Sequence, residues 1–436
     1  MENLKNINLD ISVKYITRVE GHGNIKVDIK TGELKECKLE IVEAPRFYEA
    51  FIRGRKWYET PFITSRICGI CGIGHTLTTI AAVEDALNIK VTEQTKLLRR
   101  VLNNSEIMQS HSLHIYFLAA PDFYKKTNIF TMAEKNKELA LIGLRIKKLS
   151  NDIGDVFGGR SIHPISSVIG GFTKVPEKNE MKSLLERLKN AEEDIWKTVQ
   201  IFKKEVQIPY YIRETEYISL KHPEIYAFNE GNIFSSDTGI TSYKNYKEMT
   251  NETVVAHSTA KHCKHNRNSY MVGALARYNN NYDQLKESAK KVAKELGLKH
   301  PENNPYMNTY AQLVEVEHCR VDCIELIEEF LKNNLVYEKP IEPEIFNGDG
   351  VGAVEVPRGI LYHHYIIKDG IIKEANFIIP TGQNLANIEN DMKEFLPKMI
   401  KENKSKEEIT LLLEMLVRAY DPCISCSAHF LEVEFI

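Results

Sequence analysis

Two Cys-x-x-Cys pairs near opposite ends of the chain constrain it more than any other feature. RICGICGIGHT carries Cys68 and Cys71, with His75 four residues further on, and DPCISCSAH carries Cys423 and Cys426, followed by His429. Cysteines three apart on a helical turn project to one side, so both thiolates of a pair can point at one ion. Asp421 suits a helix N-cap and Pro422 the first helical position, which puts Cys423 at a helix N-terminus, where partial positive charge favours the metal-binding thiolate. The pairs are separated by roughly 350 residues, whereas structural zinc sites clip local loops. The pattern favours a redox or catalytic metal; structural zinc and plain thiol chemistry are the alternatives.

Composition narrows the setting. Eight cysteines in 436 residues are too few for a disulfide scaffold, and a chain this long buries a sufficient core without one. A net charge of −3 with intermixed signs shows no basic stripe for nucleic acid. No apolar run approaches the ~20 residues that span a bilayer. The opening MENLKNINLDISVKYI lacks the apolar core of a secretory signal. A cytoplasmic protein with no membrane span is expected.

Hydrophobic periodicity predicts a helix-rich α+β fold, read as one domain over 1–436. Ile25, Val27 and Ile29 alternate with polar residues, Thr31-Gly32 offers a turn, and Leu39 and Ile41 resume the alternation, which predicts a β-hairpin. A second hairpin is predicted from Leu361 to Ile379, turning at Asp369-Gly370. Leu184, Leu188, Ala191 and Ile195 mark one face of a helix, as do Leu285, Ala289, Val292 and Leu296. A further long helical region is predicted from His75 to about Leu118.

The motifs together resemble a known family. Arg66-Ile-Cys68-Gly-Ile-Cys71-Gly-Ile-Gly-His75 is similar to the first signature of nickel–iron hydrogenase large subunits. Asp421-Pro-Cys423-Ile-Ser-Cys426-Ser-Ala-His429 is similar to the second. Arg18-Val-Glu20-Gly-His22-Gly resembles the N-terminal family motif, and Val356-Pro357-Arg358-Gly359 the arginine motif beside the metals. The resemblance runs from about residue 10 to residue 429 and implies the family fold, a central helical bundle with small peripheral β-hairpins. It also implies reversible heterolytic cleavage of dihydrogen.

Carried over position by position, the resemblance implies that Cys68, Cys71, Cys423 and Cys426 bind nickel. Cys71 and Cys426 would also bridge to an iron that carries cyanide and carbon monoxide. Cys423 would accept the proton and Glu20 relay it; without the motif, Glu20 is simply an acid at a strand edge paired with Arg18 or a lysine. Arg358, preceded by Pro357, would lie over the open side of the cluster, Thr381 would bond a cyanide, and Asp421 would pair with Arg358. Asp122, in HIYFLAAPDF, resembles a supporting aspartate. Glu49, the carbonyl of Phe377 and His429 match magnesium ligands. Residues 430–436, FLEVEFI, resemble a peptide removed after nickel insertion.

Of the remaining cysteines, Cys37 shares a strand face with Leu39 and Ile41, and Cys319 and Cys323 lie beside His318 on a predicted helix. All three are expected to be core residues. Cys263, between His262 and His265, invites a zinc reading, but its segment resembles an ordinary stretch of the family. No cysteine set remains for iron–sulfur clusters, so the resemblance implies a small subunit that carries them and further flavin- or diaphorase-type subunits. The acceptor would be NAD(P), a deazaflavin coenzyme or a heterodisulfide reductase, within the cytoplasmic multisubunit class. Two rivals remain: the related quinone-site subunit of respiratory complex I, which lacks the four cysteines, and a hydrogen sensor.

Overall fold

In the computed structural model, which describes residues 8–428, helices surround a long buried helix, Glu93–Leu113. This helix packs against Lys137–Gly158 and Asn308–Asn333, and Lys178–Glu205 completes the bundle. The predicted face Leu184, Leu188, Ala191 and Ile195 is buried within Lys178–Glu205. Leu285, Ala289, Val292 and Leu296 are also buried, though the helix itself is shorter, Glu287–Glu295.

Small sheets flank the bundle. Strands Leu9–Val13, Gly23–Lys30 and Glu33–Ile41 form an antiparallel sheet in sequential order, with Ile25, Val27 and Leu39 fully buried on one face. Strands Gly348–Val356, Gly359–Lys368 and Ile371–Ile378 form a second antiparallel sheet, and Asp369-Gly370 makes the turn between the last two. A four-stranded sheet and a short hairpin lie between them in sequence.

Three glycines set the distance between this second sheet and the first cysteine pair. Gly348, Gly350 and Gly352 alternate along one face of their strand, against the Gly72–Ala86 helix. A Cβ on any of them would sit inside the contact distance of helix backbone, at Ala86 O, Ala86 N and Thr78 O respectively. The strand therefore lies backbone to backbone on the helix that begins at Cys71, and its far end leads into Arg358. Only glycine permits that approach.

Local departures from expectation have physical causes. The region from His75 to Leu118 is two helices rather than one. The first ends near Leu87, and Thr92 starts the second by accepting the amide of Thr95 at 3.2 Å. Past Leu113 the backbone loosens into one π-helical turn, His114–Ala119. Asp421 is not an N-cap: its φ is +51°, and its amide closes the preceding helix by donating to Arg418 O at 2.8 Å. The N-cap is Cys423 itself, on a helix of four residues. Nor do both cysteines of a pair lie in a helix. Cys68 is extended, and Cys71 is the N-cap of Gly72–Ala86.

No helix among the described residues is long and apolar enough to cross a membrane.

Candidate metal centre

The two cysteine pairs converge. Sγ of Cys68 and Sγ of Cys423 are 3.5 Å apart, and one sulfur from each of Cys68, Cys71, Cys423 and Cys426 lies within 4.8 Å of the others, all buried. The tight Cys68–Cys71 turn aims the amides of Ile70 and Cys71 at the Cys68 sulfur, at 3.3 and 3.1 Å. Burial opposes ionisation of Cys68, yet hydrogen bonds from the other three thiols and the charge of Arg358 hold it well below the ordinary thiol range. Its neighbours Cys423 and Cys426 are pushed up in turn. A soft dication suits four pooled sulfurs far better than four protons do.

The second pair is built into the fold from both sides. The amide of Cys423 donates to Thr381 Oγ1 at 2.9 Å, at the start of the Pro380–Lys401 helix. Glu20 and Cys423 form an isolated parallel bridge, with Ile424 N donating to Glu20 O at 2.9 Å. This bridge brings Oε2 of Glu20 to 3.2 Å from Sγ of Cys423. The same oxygen accepts the amide of Ser425 at 3.1 Å, and the Ser425 hydroxyl donates to Oε1. Gly21, at φ +83°, passes so close to the backbone of Ser425 that no side chain fits.

Arg358 occupies the two-residue turn after strand Gly348–Val356, together with Pro357. Its Nε donates to Asp421 O at 2.6 Å, Nη2 to Asp421 Oδ1 at 2.9 Å and Nη1 to Ser110 Oγ at 3.2 Å. A fork bonded this way is fixed in direction as well as charge. Asp122 lies one step further out. It accepts from Arg18 and, at 2.7 and 3.0 Å, from Arg418, whose Nη1 reaches Thr17 O at 3.2 Å. Asp122 thus holds the loop that delivers Glu20.

A separate corner contains Glu49, on the short Tyr48–Ile52 helix. Its Oε1 accepts the amide of Phe377 at 2.7 Å, and burial raises its carboxyl above the ordinary range. Lys261 and Glu252, paired at 3.0 Å, lie close enough to influence it. The backbone arrives nearby from the C-terminal side, where Arg46 N donates to Ala428 O at 3.2 Å. His429 lies outside the described residues.

Several supporting groups went unnoticed in the sequence. Arg277, fully buried, donates to the carbonyls of Val356 and Pro357 at 2.9 and 3.0 Å and so anchors the turn that presents Arg358. It also pairs with Glu315 at 2.7 Å and Glu355 at 2.8 Å. Glu106 caps the helix after Cys71, accepting the amides of Ile73 at 2.7 Å and Gly74 at 3.0 Å. Neither stands on an apolar helix face, since Asn280 and Asn281 follow Arg277 and Asn103 and Gln109 flank Glu106, so no local pattern marks them. Cys37, Cys263, Cys319 and Cys323 are buried and unpaired by disulfides.

A buried four-sulfur centre, flanked by a forked arginine and a carboxylate within reach of one sulfur, defines a soft-metal redox enzyme. Comparison gives the family. Residues 46–142 and 230–429 match the nickel-dependent hydrogenase family, and residues 10–44 match a HoxL-like family. The chain is 35% identical to the alpha chain of sulfhydrogenase 1 from Pyrococcus furiosus, over 98% of this chain and 99% of that one. It is 30% identical to a chain of the vhc F420-non-reducing hydrogenase from Methanococcus voltae, over 96% and 94%. The structure superposes on an NAD+-reducing [NiFe]-hydrogenase with a TM-score of 0.86 at 25% identity, covering 96% of this chain and 99% of that one. The chain belongs to the nickel-dependent hydrogenase family, as the catalytic large subunit of a nickel–iron enzyme that acts on hydrogen.

Proposed function

We propose that Cys68, Cys71, Cys423 and Cys426 hold nickel, with Cys71 and Cys426 shared with an iron bearing cyanide and carbon monoxide. That centre would supply a soft Lewis acid for the reversible heterolytic cleavage of dihydrogen into a proton and a hydride equivalent, the overall oxidation giving two protons and two electrons. The chain's own groups handle the proton. Sγ of Cys423 is the first acceptor and Oε2 of Glu20 the second; the 3.2 Å between them is the observation that carries this reading. Ser425 fixes the rotamer of Glu20 through both carboxylate oxygens. Arg358 offsets the negative charge of the sulfurs while Asp421 and Ser110 hold its fork in place. Pro357 shapes that turn, and Thr381 fixes the Cys423 backbone while offering a hydroxyl to the iron's ligands.

Glu49, the carbonyl of Phe377 and His429 are the proposed magnesium ligands. Few protein oxygens and several waters suit that ion, and a dication there would restore the charge that burial disfavours on Glu49. Residues 430–436, outside the described part of the chain, are proposed to be cleaved after nickel insertion. Intact FLEVEFI on nickel-loaded protein, read by mass spectrometry, would refute this.

Electrons leave through a small subunit with iron–sulfur clusters and reach NAD(P) or another soluble acceptor through flavin-type subunits in the cytoplasm. The likeness to an NAD+-reducing enzyme over almost the whole chain supports this choice. An infrared spectrum of the purified complex tests the centre itself. Sharp carbon monoxide and cyanide bands with stoichiometric nickel are expected; their absence from a protein that carries zinc on the four sulfurs would overturn the assignment.

A further inference from the structure

A second group of potential metal ligands lies apart from the sulfurs. His257 and His262 belong to the irregular segment after the Tyr246–Thr250 helix, and Glu389 to the Pro380–Lys401 helix. One ligand atom from each lies within 4.8 Å of the other two. Nε2 of His257 is 2.7 Å from Oε1 of Glu389, and the two imidazole rings meet edge-on with centroids 5.6 Å apart. Glu389 is anchored from two sides: Oε1 also accepts the amide of Leu39 at 3.0 Å, and Oε2 faces the ammonium of Lys393 at 3.5 Å.

The telling atom is Nε2 of His262. This residue is only 7% exposed, and among the described residues its Nε2 is buried with no hydrogen-bond partner. Buried polar atoms are nearly always satisfied, so an orphan of this kind asks for a ligand. The side chain of His257 is 19% exposed, which gives an ion a path from solvent. Burial also holds His262 below the ordinary imidazole range, in its neutral form, which is the form that coordinates.

We propose that His257, His262 and Glu389 form a divalent transition-metal site of the zinc class, which pins the 251–265 segment to the Glu33–Ile41 strand and the Pro380–Lys401 helix. Two imidazoles and one carboxylate suit zinc, whereas magnesium and calcium call for oxygen ligands throughout. Three protein ligands leave one position for water on the exposed side of His257. Binding replaces the His257–Glu389 hydrogen bond by bonds from both groups to the ion, and His257 then carries its ring proton on Nδ1. Glu389 lies eight residues along the helix from Thr381, about 12 Å of helical rise, so this site is separate from the four sulfurs. The pinned segment carries Glu252 and Lys261, so the ion steadies the loop that flanks Glu49.

The test uses the complete enzyme complex, stripped with a mild chelator, given one equivalent of zinc and gel-filtered. Zinc and nickel are counted by mass spectrometry, and the zinc environment is read at the zinc K-edge. The expected result is stoichiometric zinc with imidazole and oxygen scatterers, bound about tenfold or more weakly in H257Q and H262Q at unchanged nickel content. Should those variants fail to fold, the wild-type scattering pattern still decides. Zinc retained equally by the double variant, a sulfur-dominated shell, or no zinc uptake would reduce the trio to an ion pair beside a buried histidine.

Discussion

Glu20 and Cys423, over four hundred residues apart in sequence, pair as backbone neighbours, and that pairing sets the 3.2 Å between carboxylate and thiol. The distance is a property of the main chain, not of a flexible side chain alone. Replacing Glu20 with Gln keeps an oxygen that accepts the Ser425 amide and faces Cys423, but a carboxamide oxygen does not take up the proton that a carboxylate would. E20Q is expected to keep its nickel and infrared bands while hydrogen oxidation falls about a hundredfold or more. Exchange of deuterium into dihydrogen provides the readout. Exchange at the wild-type rate would mean that protons leave by another route.

Arg358 makes three hydrogen bonds with one planar group, two of them to Asp421. A lysine keeps the charge but cannot reproduce the fork. R358K is therefore expected to assemble a metal centre and to lose about ten- to a hundredfold in turnover, the range typical of groups that orient metal ligands. The infrared bands should shift slightly at the same time. Unchanged turnover would show that charge alone suffices.

The glycine strand predicts a fault at a distance. G350A places a Cβ against Ala86 N, so helix and strand must separate, at a cost of about 1–3 kcal/mol. Because Cys71 starts that helix and Arg358 follows that strand, nickel content should fall together with the thermal midpoint. A variant of normal stability and full nickel would refute the backbone-to-backbone packing.

The parts of this molecule legible in sequence were those with local codes. Both predicted hairpins appear because alternation and turn residues act over a few positions, and the Lys178–Glu205 helix because one apolar face suffices. The cysteine quartet was legible because its two motifs are short. Arg277, Glu106 and the glycine strand were not, because each matters only through a partner far away in sequence. Arg277 reads as an exposed charge until Glu315 and Glu355 are folded against it. The Asp421 cap failed for a similar reason: the Arg358 fork holds that residue, and its backbone is turned left-handed to close one helix rather than open the next.

The buried trio of Arg277, Glu315 and Glu355 makes stability depend on pH. Burial opposes the charge on Glu315, but Arg277 and His111 overcome it and hold its carboxyl down at about 2. For Glu355 burial wins over the same arginine, and its carboxyl is pushed up to about 7 from an ordinary value of 4.5. Between those two pH values the folded chain keeps a proton on Glu355 that the unfolded chain has released. The folded state then binds more protons, so this group's contribution to stability falls as pH rises from 4.5 to 7 and is constant above that. The full excursion is about 3 kcal/mol. E355Q stays neutral at every pH and removes the slope. Thermal midpoints of the wild type should therefore drop relative to E355Q across this window, with the difference levelling off above pH 7. Parallel curves would mean that Glu355 is ionised in the folded protein and that Arg277 neutralises both carboxylates.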